Sequence, residues 1–153
     1  MQRPAGRNRD VAEISLREMV AHLNVIEASI DALEKGSGET LGSRAHDVLN
    51  RLELLAMSAA RLHIADVTRV TDALEELVLA VHLRRPKTAH DVAATLRHGV
   101  DVLMLLTHDK MRRLQGYPGA ELRPAADALL DRVDRLMADC AALRPIGLKL
   151  AGL

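Results

Sequence analysis

Seven histidines and a single cysteine are the residues of this chain best suited to chemistry. Imidazole can bind a metal, move a proton or carry a phosphoryl group, and a thiolate can bind metal or attack as a nucleophile. The spacing speaks against most of this. His82, His90, His98 and His108 form no i, i+4 pair with another histidine and belong to no Glu-x-x-His motif, so the usual helical metal patterns are missing. Cys140 has no second cysteine, which excludes an internal disulfide. The serines, histidines and aspartates occur in no nucleophile-elbow context, and hydrolase chemistry has no support. Gly36-Ser37-Gly38 follows no strand and precedes no Gly-Lys-Ser/Thr, so it reads as a turn between helices rather than a phosphate cradle. The expected answer is no enzyme, no metal and no cofactor.

The elements that would position any site are helices. Leu52, Leu55, Ala56, Ala59 and Leu62 recur at three and four residues, and after a break at Leu62-His63-Ile64 the rhythm resumes with Val67, Val70, Leu74, Leu77 and Val78. Such spacing gives each helix one apolar stripe, so the two pack as an antiparallel hairpin. Before them, Ile14, Leu16, Met19, Val20, Leu23, Ile26, Ile30 and Leu33 predict a long first helix from a cap at Asp10 to Lys35-Gly36. Ser43 is the expected cap of the second helix, Asp66 of the third and Thr88 of the fourth. The fourth carries Val92, Leu96, Val100, Leu103, Met104 and Leu106 inward, and Gln115-Gly116-Tyr117-Pro118-Gly119 is a strong turn signal. Pro124 opens a fifth helix with Ala125, Leu129, Val133, Leu136, Met137, Cys140 and Leu143 on its apolar side, ended by Arg144-Pro145.

The central stretch resembles the histidine-phosphotransfer (HPt) domains, including the N-terminal domain of chemotaxis histidine kinases. That family reads roughly H-T-L-K-G-S-A-G-x-L-G-F-x-x-L, followed by a helix ending near A-L-E-x-L. Here Ser58-Ala59-Ala60-Arg61-Leu62-His63-Ile64 looks like the S-A-G-x-L-G-F part, and Ala73-Leu74-Glu75-Glu76-Leu77 like the A-L-E-x-L part, with no gap between them. Carried back, the phosphoacceptor histidine falls on Glu53, the motif lysine on Ala56, the motif glycine on Met57 and the second glycine on His63. The resemblance implies an all-α, antiparallel up-down four-helix bundle with an additional C-terminal fifth helix. It covers roughly residues 14–108, and its specific part is the central stretch.

The chemistry of the family is missing from this site. Glu53 is anionic at neutral pH and would repel an incoming phosphoryl dianion; an acyl phosphate on it would hydrolyse readily. Ala56 supplies no cation, and Met57 fills space that the family leaves bare. The resemblance therefore implies a pseudo-phosphotransfer protein that binds a receiver domain or a histidine kinase without carrying phosphate. Asn50, Glu53, Leu54, Met57 and Arg61 would form its docking face. Two other readings stand beside it. His46, seven residues before Glu53 on nearly the same face, could be an acceptor in an active relay, since Ser43-Arg44-Ala45-His46 echoes the residues before the motif histidine. Against that, Leu49-Asn50 stand where lysine and glycine would be needed. Alternatively the chain is a structural or homodimerising bundle, using the apolar tail from Ile146 to Leu153.

Composition agrees with a helical protein of this size. The 153 residues are 48% hydrophobic and 27% charged, with no Phe, no Trp and one Tyr. That suits one domain with one core of Leu, Ala and Val, here residues 10–153 behind a flexible, mildly basic tail at 1–9. The formal net charge of zero gives no reason to expect a nucleic-acid partner. No apolar run approaches the ~20 residues of a membrane span, and a lone cysteine suits a cytoplasmic location.

Overall fold

The computed structural model describes residues 3–35, 38–84 and 89–142, and these form five α-helices with no strand among them. They are α1 (Arg3–Lys35), α2 (Gly38–Arg61), α3 (Ala65–Arg84), α4 (Ala89–Leu114) and α5 (Arg123–Ala142). Thr88, Leu143, the Arg144-Pro145 stop and the tail 146–153 lie outside the described residues, as do the side chains of His82 and Cys140. α1 and α2 begin well before their sequence signals predict, and α3 begins at Ala65, so that Asp66, its expected cap, lies inside its first turn. α1 starts at Arg3 rather than Asp10, so seven residues expected to be a flexible tail are helical. Pro4 is compatible with a first helical turn, where its missing N–H has no partner to lose. α2 starts at Gly38 rather than Ser43, and Leu41 in this added turn packs against the core.

The stripes predicted from spacing form the core. Leu16, Met19, Leu23, Ile26 and Ile30 of α1 are fully buried, as are Leu52 and Leu55 of α2, Leu74 and Leu77 of α3, Leu96 and Leu103 of α4 and Leu129 of α5. Leu62 is only half-buried at the end of α2. Ile14 departs from expectation and is 55% exposed, because it lies two residues before Leu16 and so about 200° around the helix, on the side turned away from the core. The buried hydroxyls need no partner from another helix. Thr71 donates to the Thr68 carbonyl, Thr95 to Asp91 and Thr107 to Leu103, each three or four residues back.

α1 packs against α2 and α4, α3 against α2 and α4, and α5 against α3 and α4. Polar pairs give the directions. Arg97 bonds to Asp31 and His90 to Glu34, so α4 advances as α1 recedes and the two are antiparallel. Arg69 bonds to Asp127, and Arg123 lies 3.7 Å from Asp66, so α3 and α5 run the same way. α3 and α4 approach closely at Gly99, where an added Cβ would stand 2.6 Å from Cδ1 of Leu74.

Two of the helix ends share one cap. The Ile64 N–H donates to the Ala59 carbonyl and the His63 N–H to Ala60, the paired bonds of a Schellman motif. At the end of α4 the Tyr117 N–H donates to Arg112 and the Gly116 N–H to Arg113. The motif needs a left-handed residue after the cap. Gly116 supplies it at φ 89°, whereas at α2 it is His63, at φ 58°. A side chain in that conformation costs on the order of 1 kcal/mol relative to glycine.

Leu74→Ala is expected to lower stability by about 2–5 kcal/mol, the range for a large core side chain cut back. Gly99→Ala alone should destabilise, by up to about 2 kcal/mol, because overpacking outweighs the gain in helix propensity. In the Leu74→Ala background the clash is gone, and Gly99→Ala should stabilise by about 1 kcal/mol. Urea melts of the four proteins test this reversal of sign. His63→Gly should raise stability by roughly 0.5–1 kcal/mol, and an unchanged midpoint would contradict the cap described here.

Candidate docking face

α2 turns one side to α1 and α3 and leaves the other to solvent. On the solvent side His46, Asn50, Glu53, Met57 and Arg61 follow one another at three and four residues, and all are exposed. That spacing sets them in a single stripe, with His46 and Glu53 about 10 Å apart along the axis. Met57 is 55% exposed and Leu54, beside it, 43% exposed. The five residues expected to form a docking face are thus on one accessible surface. Arg61 is drawn back toward its own helix, 3.4 Å from Oγ of Ser58.

α3 contributes to this surface, which spacing within α2 alone does not reveal. The Glu75 carboxyl is pushed above its ordinary pKa, first by partial burial and then by the negative charges of Asp72 and Glu53. Glu53 therefore stands within electrostatic reach of Glu75 across the helix pair. The register explains this: Glu53 lies ten residues before His63 and Ala73 ten residues after it, so the hairpin brings them level. Met57 and Leu54 are exposed on the same helix as Glu53. A phosphoryl group approaching Glu53 would meet this field with neither the lysine nor the imidazole that phosphotransfer requires.

On the opposite flank of α2, Arg51 approaches α1, with one guanidinium nitrogen 3.0 Å from Nδ1 of His22. A guanidinium can only donate, so Nδ1 must accept and the imidazole is neutral in this contact. Burial and then the Arg51 charge lower the His22 pKa, with Glu18 opposing. This pair lies along the side of α2 that faces α1. No spacing rule reported His22, because its partner is 29 residues away.

Elsewhere, an open cleft of about 280 Å³ lies where the α2–α3 turn meets the α4–α5 link. His63, Lys110, Asp66 and Glu121 line it, but several of its charges are engaged with each other. Asp109 accepts from Arg113 at 2.8 Å and from the Ala120 N–H at 2.7 Å, and these bonds outweigh burial to hold its carboxyl below the ordinary range. The cleft belongs to the architecture of the link. Among the described residues no three His, Cys, Asp or Glu side chains gather as a metal site, and no helix is long and apolar enough to cross a membrane.

The lowered His22 pKa makes a signed prediction. The folded protein binds this proton less readily than the unfolded chain, so the contribution of His22 is favourable above the unfolded value of 6.5 and is lost as pH falls below it. Denaturant melts across that window should show wild-type stability declining with acid more steeply than that of His22→Gln. Identical slopes would mean that neither burial nor the Arg51 charge lowers the His22 pKa in the folded protein.

Set against what is known of other proteins, the chain matches no family model, no curated protein and no solved structure.

Proposed function

We propose that this is a pseudo-histidine-phosphotransfer protein of two-component signalling: it binds a receiver domain or a histidine kinase through α2 and carries no phosphate itself. The observation that carries the reading is the exposed Met57 and Leu54 beside Glu53 on α2, an apolar patch where an active HPt domain surrounds its histidine. Three further features support it. The contacts linking α1 to α2, α2 to α3, α3 to α4 and α4 back to α1 are those an up-down four-helix core needs, with α5 as the added helix. The left-handed residue closing α2 is His63, which aligns with the second glycine of the family motif. Glu53, Ala56 and Met57 replace the three residues that the reaction needs. A cytoplasmic location goes with this role.

An apolar side chain fully desolvated in an interface contributes about 1.5–3 kcal/mol. Met57→Asp should therefore weaken binding to a cognate receiver or kinase by at least roughly tenfold, at about 1.4 kcal/mol per decade. Glu53→Ala should change affinity far less, since a rim charge acts chiefly on association rate and salt dependence. Calorimetric titration of the three proteins decides, and unchanged affinity in Met57→Asp would place the docking face elsewhere. In parallel, incubation with a phosphorylated receiver should leave the chain unlabelled. Labelling that disappears in His46→Ala would replace this reading with an active relay through His46, which is exposed on the same stripe.

A further inference from the structure

The cleft that the α4–α5 link forms with the α2–α3 turn keeps one half-buried cation when its charges are paired off. Asp66 bonds to Arg69 at 2.9 Å and lies 3.7 Å from Arg123, and Asp109 is held by Arg113 and the Ala120 N–H. Glu121 is exposed on the link, where water solvates it, and it accepts the Arg123 N–H at 3.2 Å. Lys110 lines the cleft from α4, half-buried, and among the described residues it forms no ion pair. An ammonium that has lost part of its water without gaining a counter-ion is a place for an anion from outside. His63 lines the same cleft from the turn, in a backbone conformation that glycine would hold at lower cost. An imidazole there can donate to an anion, which glycine cannot. The N–H groups of Ala65 and Asp66, which open α3 on this wall, add donors that no preceding turn of helix uses. The lining is also aliphatic: Leu106 is buried, and Ile64 and Leu122 are half-buried.

We propose that this cleft binds a small aliphatic carboxylate, its oxygens held by Lys110 and His63 and its hydrocarbon laid against Leu106, Ile64 and Leu122. A cationic ligand would find Asp66 and Asp109 already bonded and only the water-solvated Glu121 open to it. A bare inorganic anion would use the donors and leave the aliphatic wall wet. A carboxylate on a short hydrocarbon uses both kinds of surface. The volume of about 280 Å³ falls just under the roughly 300–1,000 Å³ of pockets for drug-sized molecules, which suits a ligand of few heavy atoms. A ligand so small in a cleft open to water binds weakly, with a dissociation constant on the order of 1 mM. His63 then has a role that its cost in stability does not explain by itself.

The proposal does not rest on the phosphorelay reading, because it is measured on this chain with no second protein present. Isovalerate is the probe. Titrated into the isotope-labelled full chain, it should cause saturable shifts at the Ala65 and Asp66 amides and at the methyl groups of Ile64, Leu106 and Leu122. Lys110→Gln should weaken binding at least roughly tenfold, and Lys110→Arg, which keeps the charge, should restore most of it. His63→Gly should bind about threefold more weakly while being the more stable protein, so affinity and stability move in opposite directions. Urea melts of the same samples establish that each variant is folded. Isovaleramide, of the same shape and uncharged, should not bind, and inorganic phosphate should bind more weakly than isovalerate. The absence of saturable shifts up to about 20 mM isovalerate overturns the proposal, as does unchanged affinity in folded Lys110→Gln. Isovaleramide that binds as tightly removes the part given to charge, and phosphate that binds as tightly removes the part given to the aliphatic wall; either result overturns the ligand class.

Discussion

The contact between Leu74 and the bare backbone of Gly99 sets the distance between α3 and α4, and much of the fold depends on it. α3 packs against α2, α4 and α5, and α4 against α1, α3 and α5, so these two helices join the rest of the molecule. The core holds no aromatic side chain that could fill a wider gap. Leu, Val, Ile and Ala must close the space, and interiors reach native density only when neighbouring backbones come near. A leucine set over a glycine is how this chain brings them near. From the other side of α3, Glu75 comes within electrostatic reach of Glu53 on α2.

Periodicity makes most of this core legible, because burial and helical repeat are one constraint seen twice. Leu23, Leu55, Leu74, Leu96 and Leu129 are assigned inward by spacing and are buried. Ile14 shows where spacing stops informing. It sits among the apolar residues of α1, but two positions before Leu16 it falls on nearly the opposite side of the helix, where the other helices do not reach, and it is exposed. Helix starts are legible only when the capping residue is also the first residue needed. Ser43 is a good cap in isolation, yet Leu41 can pack against the core if the helix begins at Gly38, and burial decides. Thr71, Thr95 and Thr107 are buried without breaking any stripe because their hydroxyls bond to their own helices.

The candidate site is legible in its membership and not in its electrostatics. That Asn50, Glu53, Met57 and Arg61 share a surface follows from helical geometry. That this surface is acidic requires the register of α2 against α3, which depends on where the turn falls. His63 fixes that point by taking a backbone conformation usually left to glycine.

Tyr117 carries a practical meaning for any study of this molecule. It is the single aromatic residue in the chain, and it lies in the α4–α5 link, 57% exposed, with the Arg112 guanidinium 5.7 Å from its ring centre. No tryptophan or phenylalanine reports from the interior. Near-ultraviolet absorbance and intrinsic emission therefore describe one surface connection and nothing of the packed helices. A change in the tyrosine signal ahead of the loss of helicity would mark local opening of the link, not unfolding of the protein. The core itself is optically silent, and only backbone or methyl probes see it.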